Sequence, residues 1–135
     1  MPLELNIITP EKELLKETVD SVTLPTEAGE ITVLPHHVAL VTALRAGELA
    51  FHAGNTDRHI AVYGGFADID GNRVRVLADA AELAEDIDER KAEEALARAQ
   101  KAKEEATTHE EIADVSAALA VALTQLKVAR RHRKH

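Results

Sequence analysis

All six glycines and all four prolines of this 135-residue chain fall at or before Gly71, and none follows. Glycine and proline punctuate turns and interrupt helices. The first part of the chain is therefore free to be a string of short elements with tight connections, and the remainder to be unbroken helix.

The residues between the punctuation agree. Leu3, Leu5 and Ile7 alternate with Glu4 and Asn6, and short apolar runs recur at Val19 to Leu24, Ile31 to Leu34, Val38 to Leu44, Leu49 to Phe51, Ile60 to Tyr63, Phe66 to Ile69 and Val74 to Leu77. Between them stand Thr9-Pro10, Ala28-Gly29, Leu34-Pro35, Ala46-Gly47, Gly54-Asn55, Gly64-Gly65 and Asp70-Gly71, read as turns. Many short period-two segments joined by hairpin signals predict an antiparallel β-sandwich of about ten strands over residues 1–84.

Beyond Asp88 the residues are mostly Ala, Glu, Lys, Arg and Leu, all good helix formers. Asp86 or Asp88 can cap a first helix over about 88–106, and Thr108 with Glu111 has capping-box spacing for a second over about 109–131. The inward stripe of the first is Ala92, Ala95, Leu96, Ala99, Ala102 and Ala106; that of the second is Ile112, Val115, Leu119, Ala122, Leu123 and Leu126. The fold class expected is thus α+β in two parts: the sandwich, then an antiparallel helical hairpin over 85–135. An alanine stripe buries little area per residue, at about 25 cal/mol per Å², so such a hairpin can exchange its partner surface at modest cost.

The net charge of −8 is unevenly spread. Residues 1–84 carry six Lys or Arg against thirteen Asp or Glu, 85–114 five against eleven, and 115–135 five against none, giving −7, −6 and +5. An acidic chain lacks the basic footprint that nucleic-acid binding needs. Its basic tail is fitted to an acidic partner or to the chain's own acidic surface. No apolar run approaches the 18 or so residues of a membrane span, so membrane association is expected only through another protein. The absence of cysteine excludes disulfides and thiolate chemistry and is compatible with a reducing compartment.

Catalytic signatures are missing: there is no phosphate-binding loop, no dinucleotide fingerprint and no Gly-x-Ser-x-Gly elbow. His36, His37, His52 and His59 raise the alternative of a stand-alone metal- or ligand-binding sandwich. Adjacent strand residues point to opposite faces, which weighs against His36 and His37 sharing an ion. The expectation is no catalytic residue, no metal and no required cofactor.

The segment Val22 to Gly47 (VTLPTEAGEITVLPHHVALVTALRAG), followed by Ile60 to Asp68 (IAVYGGFAD), Val74 to Leu77 and Ala80 to Asp88 (AAELAEDID), resembles the epsilon subunit of F-type ATP synthase. The likeness covers essentially the whole chain, with His36 where a small residue such as Gly is common and Ala39 where Pro is common. It implies a non-catalytic subunit of the rotor's central stalk, peripheral on the cytoplasmic face of the bacterial plasma membrane. The sandwich would dock on the gamma subunit and the c-ring, coupling proton flow to rotation. The hairpin, extended toward the alpha/beta catalytic head, would inhibit hydrolysis, with Lys127, Arg130, Arg131, Arg133 and Lys134 meeting an acidic stretch of the beta subunit. Some members bind a regulatory ATP through Ile-Asp-x-x-Arg-Ala and an upstream Glu. The corresponding residues are Glu82, Asp88 and Lys91, and a Lys in the Arg position lacks the planar fork that grips phosphate.

Overall fold

The computed structural model describes residues 2–134, and the side chains of all of these except 37, 38, 133 and 134. Eight strands come first: β1 (Leu3–Ile8), β2 (Glu13–Val19), β3 (Ser21–Thr26), β4 (Gly29–Val33), β5 (His37–Ala53), β6 (Thr56–Gly71), β7 (Arg73–Ala78) and β8 (Ala81–Leu83). A 3-10 turn at Ala84–Asp86 leads to α1 (Glu89–Glu105) and α2 (His109–Lys134). The pairing order is β2-β1-β7-β6-β5-β3-β4, with β8 on β6. All pairs are antiparallel except β1 with β7.

Eight strands replace the ten or so expected because the runs on either side of Ala46-Gly47 and of Gly64-Gly65 are continuous. β5 and β6 have 17 and 16 residues and pair along most of their length. The glycines read as turns lie inside these strands, where β6 passes from β8 (Ile60–Val62) to β7 (Gly65–Asp70) as its neighbour. Gly64 and Gly65 have φ of 84° and 115°, and a Cβ on Gly65 would lie 2.2 Å from the Leu77 carbonyl oxygen. Only glycine lets the two backbones approach this closely at the bend.

The core follows from strand alternation. Leu3, Leu5 and Ile7 of β1 join Val22, Leu24, Leu49, Ile60, Val62, Ile69, Val74 and Val76 in one buried cluster. On this strand framework His36 has φ of 67°, its N–H donating to Asn72 Oδ1 at 2.9 Å. The left-handed region disfavours a side chain bearing Cβ. His36→Gly is therefore expected to raise stability by about 1 kcal/mol, readable as a higher midpoint in urea unfolding.

Both helix caps form as expected: Lys91 N–H donates to Asp88 Oδ1 (3.1 Å), and Glu111 N–H to Thr108 Oγ1 (3.1 Å). The Glu111 carboxylate reaches back to the Thr107 N–H, one residue before the expected target. Helix α1 buries Ala92 and Ala99 of its predicted stripe. Helix α2 departs from its stripe. Leu123 is 54% exposed and Ile112 49%, while Thr124 and Val128 are buried. The reason is that α2 packs on two partners, α1 along one face and the sheet along another. Contrary to the expectation, residues 109–132 contain an 18-residue stretch whose length and mean hydropathy (1.5) reach those of a membrane span. Between Ile112 and Ala129 only Asp114 and Lys127 are charged, and alanine raises the average.

Candidate functional site

The last turns of α2 sit on the outer face of β5 and β6. Alternation puts Ile60 and Val62 in the sandwich core and Ala61 outside, yet Ala61 is fully buried. What covers it is Val128, itself 0% exposed, which packs with Ala61, Ala84, Tyr63 and Ile87 in a small second core.

Two polar contacts flank this plug. On one side Glu82 Oε1 accepts from Tyr63 Oη (2.7 Å) and from Gln125 Nε2 (2.8 Å), tying β8, β6 and α2 together. Burial pushes the Tyr63 phenol far up, and the hydrogen bond to Glu82 adds to the shift, so Tyr63 stays a donor. On the other side Arg131 Nε lies 3.3 Å from Glu48 Oε2, with His59 Nδ1 at 3.4 Å from the same oxygen. The Glu48 side chain is only 6% exposed. A carboxylate so buried needs a counter-charge, and Arg131 supplies it from the helix. Arg130 spans the hairpin, at 3.7 Å from Glu89 and 3.4 Å from Glu93 of α1.

The +5 tail thus meets this chain's own carboxylates through Arg130 and Arg131. Lys127 is exposed, and the side chains of Arg133 and Lys134 lie outside the described residues. The three expected nucleotide ligands fall on one stretch: Glu82 on β8, held by Tyr63 and Gln125; Asp88 as the cap of α1; and Lys91 exposed on its first turn. Sequence reading missed Tyr63 and Glu48, and singled out His59 for a metal where it stands beside Glu48. One signal was available: Ile60-Ala61-Val62 is apolar without alternation, which marks a strand covered on both faces.

The described candidate histidines do not converge. His52 Nδ1 pairs with Asp57 at 2.6 Å beside the β5–β6 turn, His59 faces Glu48, and His36 is in the turn before β5. Among the described residues no group of three or more His, Asp or Glu is placed to hold a metal ion; the His37 side chain lies outside them. The hydrogen bond to Asp57 raises His52 above the ordinary 6.5. A raised imidazole stabilises the fold below the unfolded pKa, and that contribution is lost as pH rises through the folded one. An NMR titration is expected to give His52 a midpoint above 6.5 that falls back in Asp57→Asn.

Comparison with known proteins decides what carries this seam. Residues 2–84 match the family model of the ATP synthase delta/epsilon chain beta-sandwich domain, and residues 85–130 that of its long alpha-helix domain. The chain belongs to the ATP synthase delta/epsilon family. The ATP synthase epsilon chain of Herpetosiphon aurantiacus is 39% identical over 133 residues, 98% of each chain. That of Syntrophobacter fumaroxidans is 42% identical over 127 residues, 94% of this chain and 95% of its own. A chain in the cryo-EM structure of the Euglena gracilis mitochondrial ATP synthase (OSCP/F1/c-ring) gives a TM-score of 0.82 at 23% identity, over 99% of this chain and 82% of that one, a likeness of fold. The resemblance drawn from Val22 to Gly47 and the segments after it is borne out, and the metal-binding alternative is not favoured. Delta/epsilon membership also fits the order of the parts, sandwich before hairpin.

Proposed function

We propose that the chain is the epsilon subunit of a bacterial F-type ATP synthase, a non-catalytic piece of the central stalk on the cytoplasmic face of the membrane. The observation that carries this reading is the match of both domains, in order, to epsilon chains along nearly the whole length. The sandwich docks on the gamma subunit and the c-ring and helps couple proton flow to rotation. The hairpin regulates hydrolysis: held at the Val128 seam it permits the reaction, and extended toward the alpha/beta head it inhibits. Support for a detachable hairpin comes from the small size of that second core, three buried residues against eighteen in the sandwich. In the extended state Lys127, Arg130, Arg131, Arg133 and Lys134 face an acidic stretch of the beta subunit, Arg130 and Arg131 having exchanged Glu89, Glu93 and Glu48 for it.

Regulatory ATP at Glu82, Asp88 and Lys91 is weak in this reading. Lys91 offers a point charge in place of a bidentate fork, and Glu82 and Asp88 already accept hydrogen bonds within the chain. Calorimetric titration with millimolar MgATP should return at most a small, unsaturated heat, and tight binding would refute this part.

The test of the main reading uses the purified chain and the matching catalytic head with gamma. The chain alone should show no ATPase activity and should lower that of the head. Deleting residues 115–135 should relieve the inhibition. Equal inhibition by the truncated chain would remove the regulatory role of the hairpin.

A further inference from the structure

His59 and Glu48 are diagonal neighbours under the end of α2. The register sets Glu48 of β5 opposite Ala61 of β6 and Ala50 opposite His59, and alternation puts His59 on the same outer face as Ala61. Their side chains are 10% and 6% exposed. One carboxylate oxygen serves two cationic groups: Glu48 Oε2 is 3.4 Å from His59 Nδ1 and 3.3 Å from Arg131 Nε. The two differ in origin. His59 belongs to the sheet and stays beside Glu48 when the hairpin moves, whereas Arg131 arrives with α2.

A buried carboxylate needs a counter-charge. With His59 neutral, Arg131 supplies it, and docking the helix is what brings it there. A proton on His59 gives Glu48 a cation from its own sheet. The docked helix then holds a second cation against the same oxygen, and the two repel each other. Imidazole is the side chain that changes charge between about pH 5 and 8. The remaining charges around His59 are matched among themselves. On β6, Asp57 bonds His52 of β5 at 2.6 Å, and Arg58 pairs with Glu17 of β2 and Glu85 of the 3-10 turn at 3.6 and 3.2 Å. From α2, His132 lines a hollow of about 250 Å³ with Asp57, Arg58, His59 and Glu85, and it titrates as a separate group. Protonation of Glu48 itself also removes the attraction to Arg131 and acts in the same direction as protonation of His59.

We propose that Glu48, His59 and Arg131 form a pH-dependent latch: with His59 neutral, Glu48 holds Arg131 and the end of α2 stays on the sheet, and a proton on His59 releases it. Undocking uncovers His59 and takes Arg131 away, so the undocked chain binds the proton more readily than the docked one. Docking is therefore favoured as pH rises and lost as it falls, by at most about tenfold per pH unit for one proton. The consequence for the enzyme rests on the reading above: where the extended hairpin inhibits hydrolysis, acidification favours the inhibited form.

The test is amide hydrogen exchange of the last turns of α2 in the full chain, corrected for the intrinsic pH dependence of exchange and referred to β1. The docking constant read in this way should fall about tenfold between about pH 7.5 and pH 5.5. His59→Gln keeps a donor beside Glu48 but cannot take the proton, and its docking constant should stay level within about twofold. His132→Asn should keep the full fall. A level profile in the unaltered chain, or a fall that survives in His59→Gln, overturns the latch. An NMR titration of the His59 ring gives an answer without altering that residue. Val128→Asp drives a carboxylate into the apolar plug and undocks the helix, so His59 should take up its proton at a higher pH there than in the unaltered chain; equal midpoints overturn the latch. Both measurements use the chain by itself, so their failure leaves the stalk reading standing, and a failure to inhibit the catalytic head removes that reading while leaving the latch.

Discussion

Replacing Val128 with Asp will lift the end of α2 off the sheet while leaving the sandwich folded. Val128 is fully buried against Ala61 and Ala84, with Tyr63 and Ile87 beside them. An unpaired carboxylate placed there costs several kcal/mol, and the chain escapes that cost by undocking the helix. A penalty of about 3–5 kcal/mol shifts the docking equilibrium by about two to three and a half orders of magnitude, at about 1.4 kcal/mol per tenfold. Hydrogen exchange should show the last turns of α2 losing protection while β1 and β7 keep theirs. Val128→Ala, which removes two methyl groups without adding charge, should shift the equilibrium by about 1–2 kcal/mol. In the proposed function the Asp variant is the stronger inhibitor of the catalytic head, since it frees the hairpin to extend.

The second large effect is expected at Arg131. Substitution by Gln leaves Glu48 buried with His59 as its remaining partner in that cluster. Breaking a buried pair typically costs 3–5 kcal/mol and an exposed one about 0–1. Arg131 is half exposed and its contact with Glu48 Oε2 lacks hydrogen-bond geometry, which places the loss at about 2 kcal/mol. Glu48→Gln in the same chain should restore part of it, because the stranded charge is gone. A double-mutant cycle on hairpin docking should therefore give a coupling of about 1 kcal/mol. A coupling near zero would mean that Arg131 is a solvated surface charge.

The two-part architecture was legible because its cause is local. Glycine and proline confine the turns to the first part, and an uninterrupted run of helix formers leaves the second no other structure to adopt. The Ala92–Ala99 stripe was legible for the same reason, since α1 has a single packing partner. Helix α2 was not, because a periodic stripe describes one buried face and α2 has two. Leu123, apolar and in phase, faces solvent, whereas Thr124 and Val128 face the sheet. Strand number was overcounted at Gly47 and Gly64-Gly65, where glycine serves a bend within a strand, not a turn between two. In the seam, Glu82 was singled out for nucleotide, and its Tyr63 and Gln125 partners depend on chain segments 19 and 43 residues away. Glu48 and Arg131 are farther apart still, and no local pattern connects them beyond the opposite charges of sheet and tail.

In the proposed function the hairpin leaves the sandwich when the assembled enzyme regulates hydrolysis. The chain has no cysteine, so Thr32→Cys on the sandwich and Leu123→Cys on the exposed face of α2 give two labelling sites that spare the seam. The distance between them, measured by pulsed electron spin resonance in the assembled ATP synthase with and without ATP, should show two populations whose balance changes with nucleotide, the longer one enriched by Val128→Asp. A single distance, equal to that of the docked hairpin and unchanged by ATP or by Val128→Asp, would mean that the hairpin does not undock.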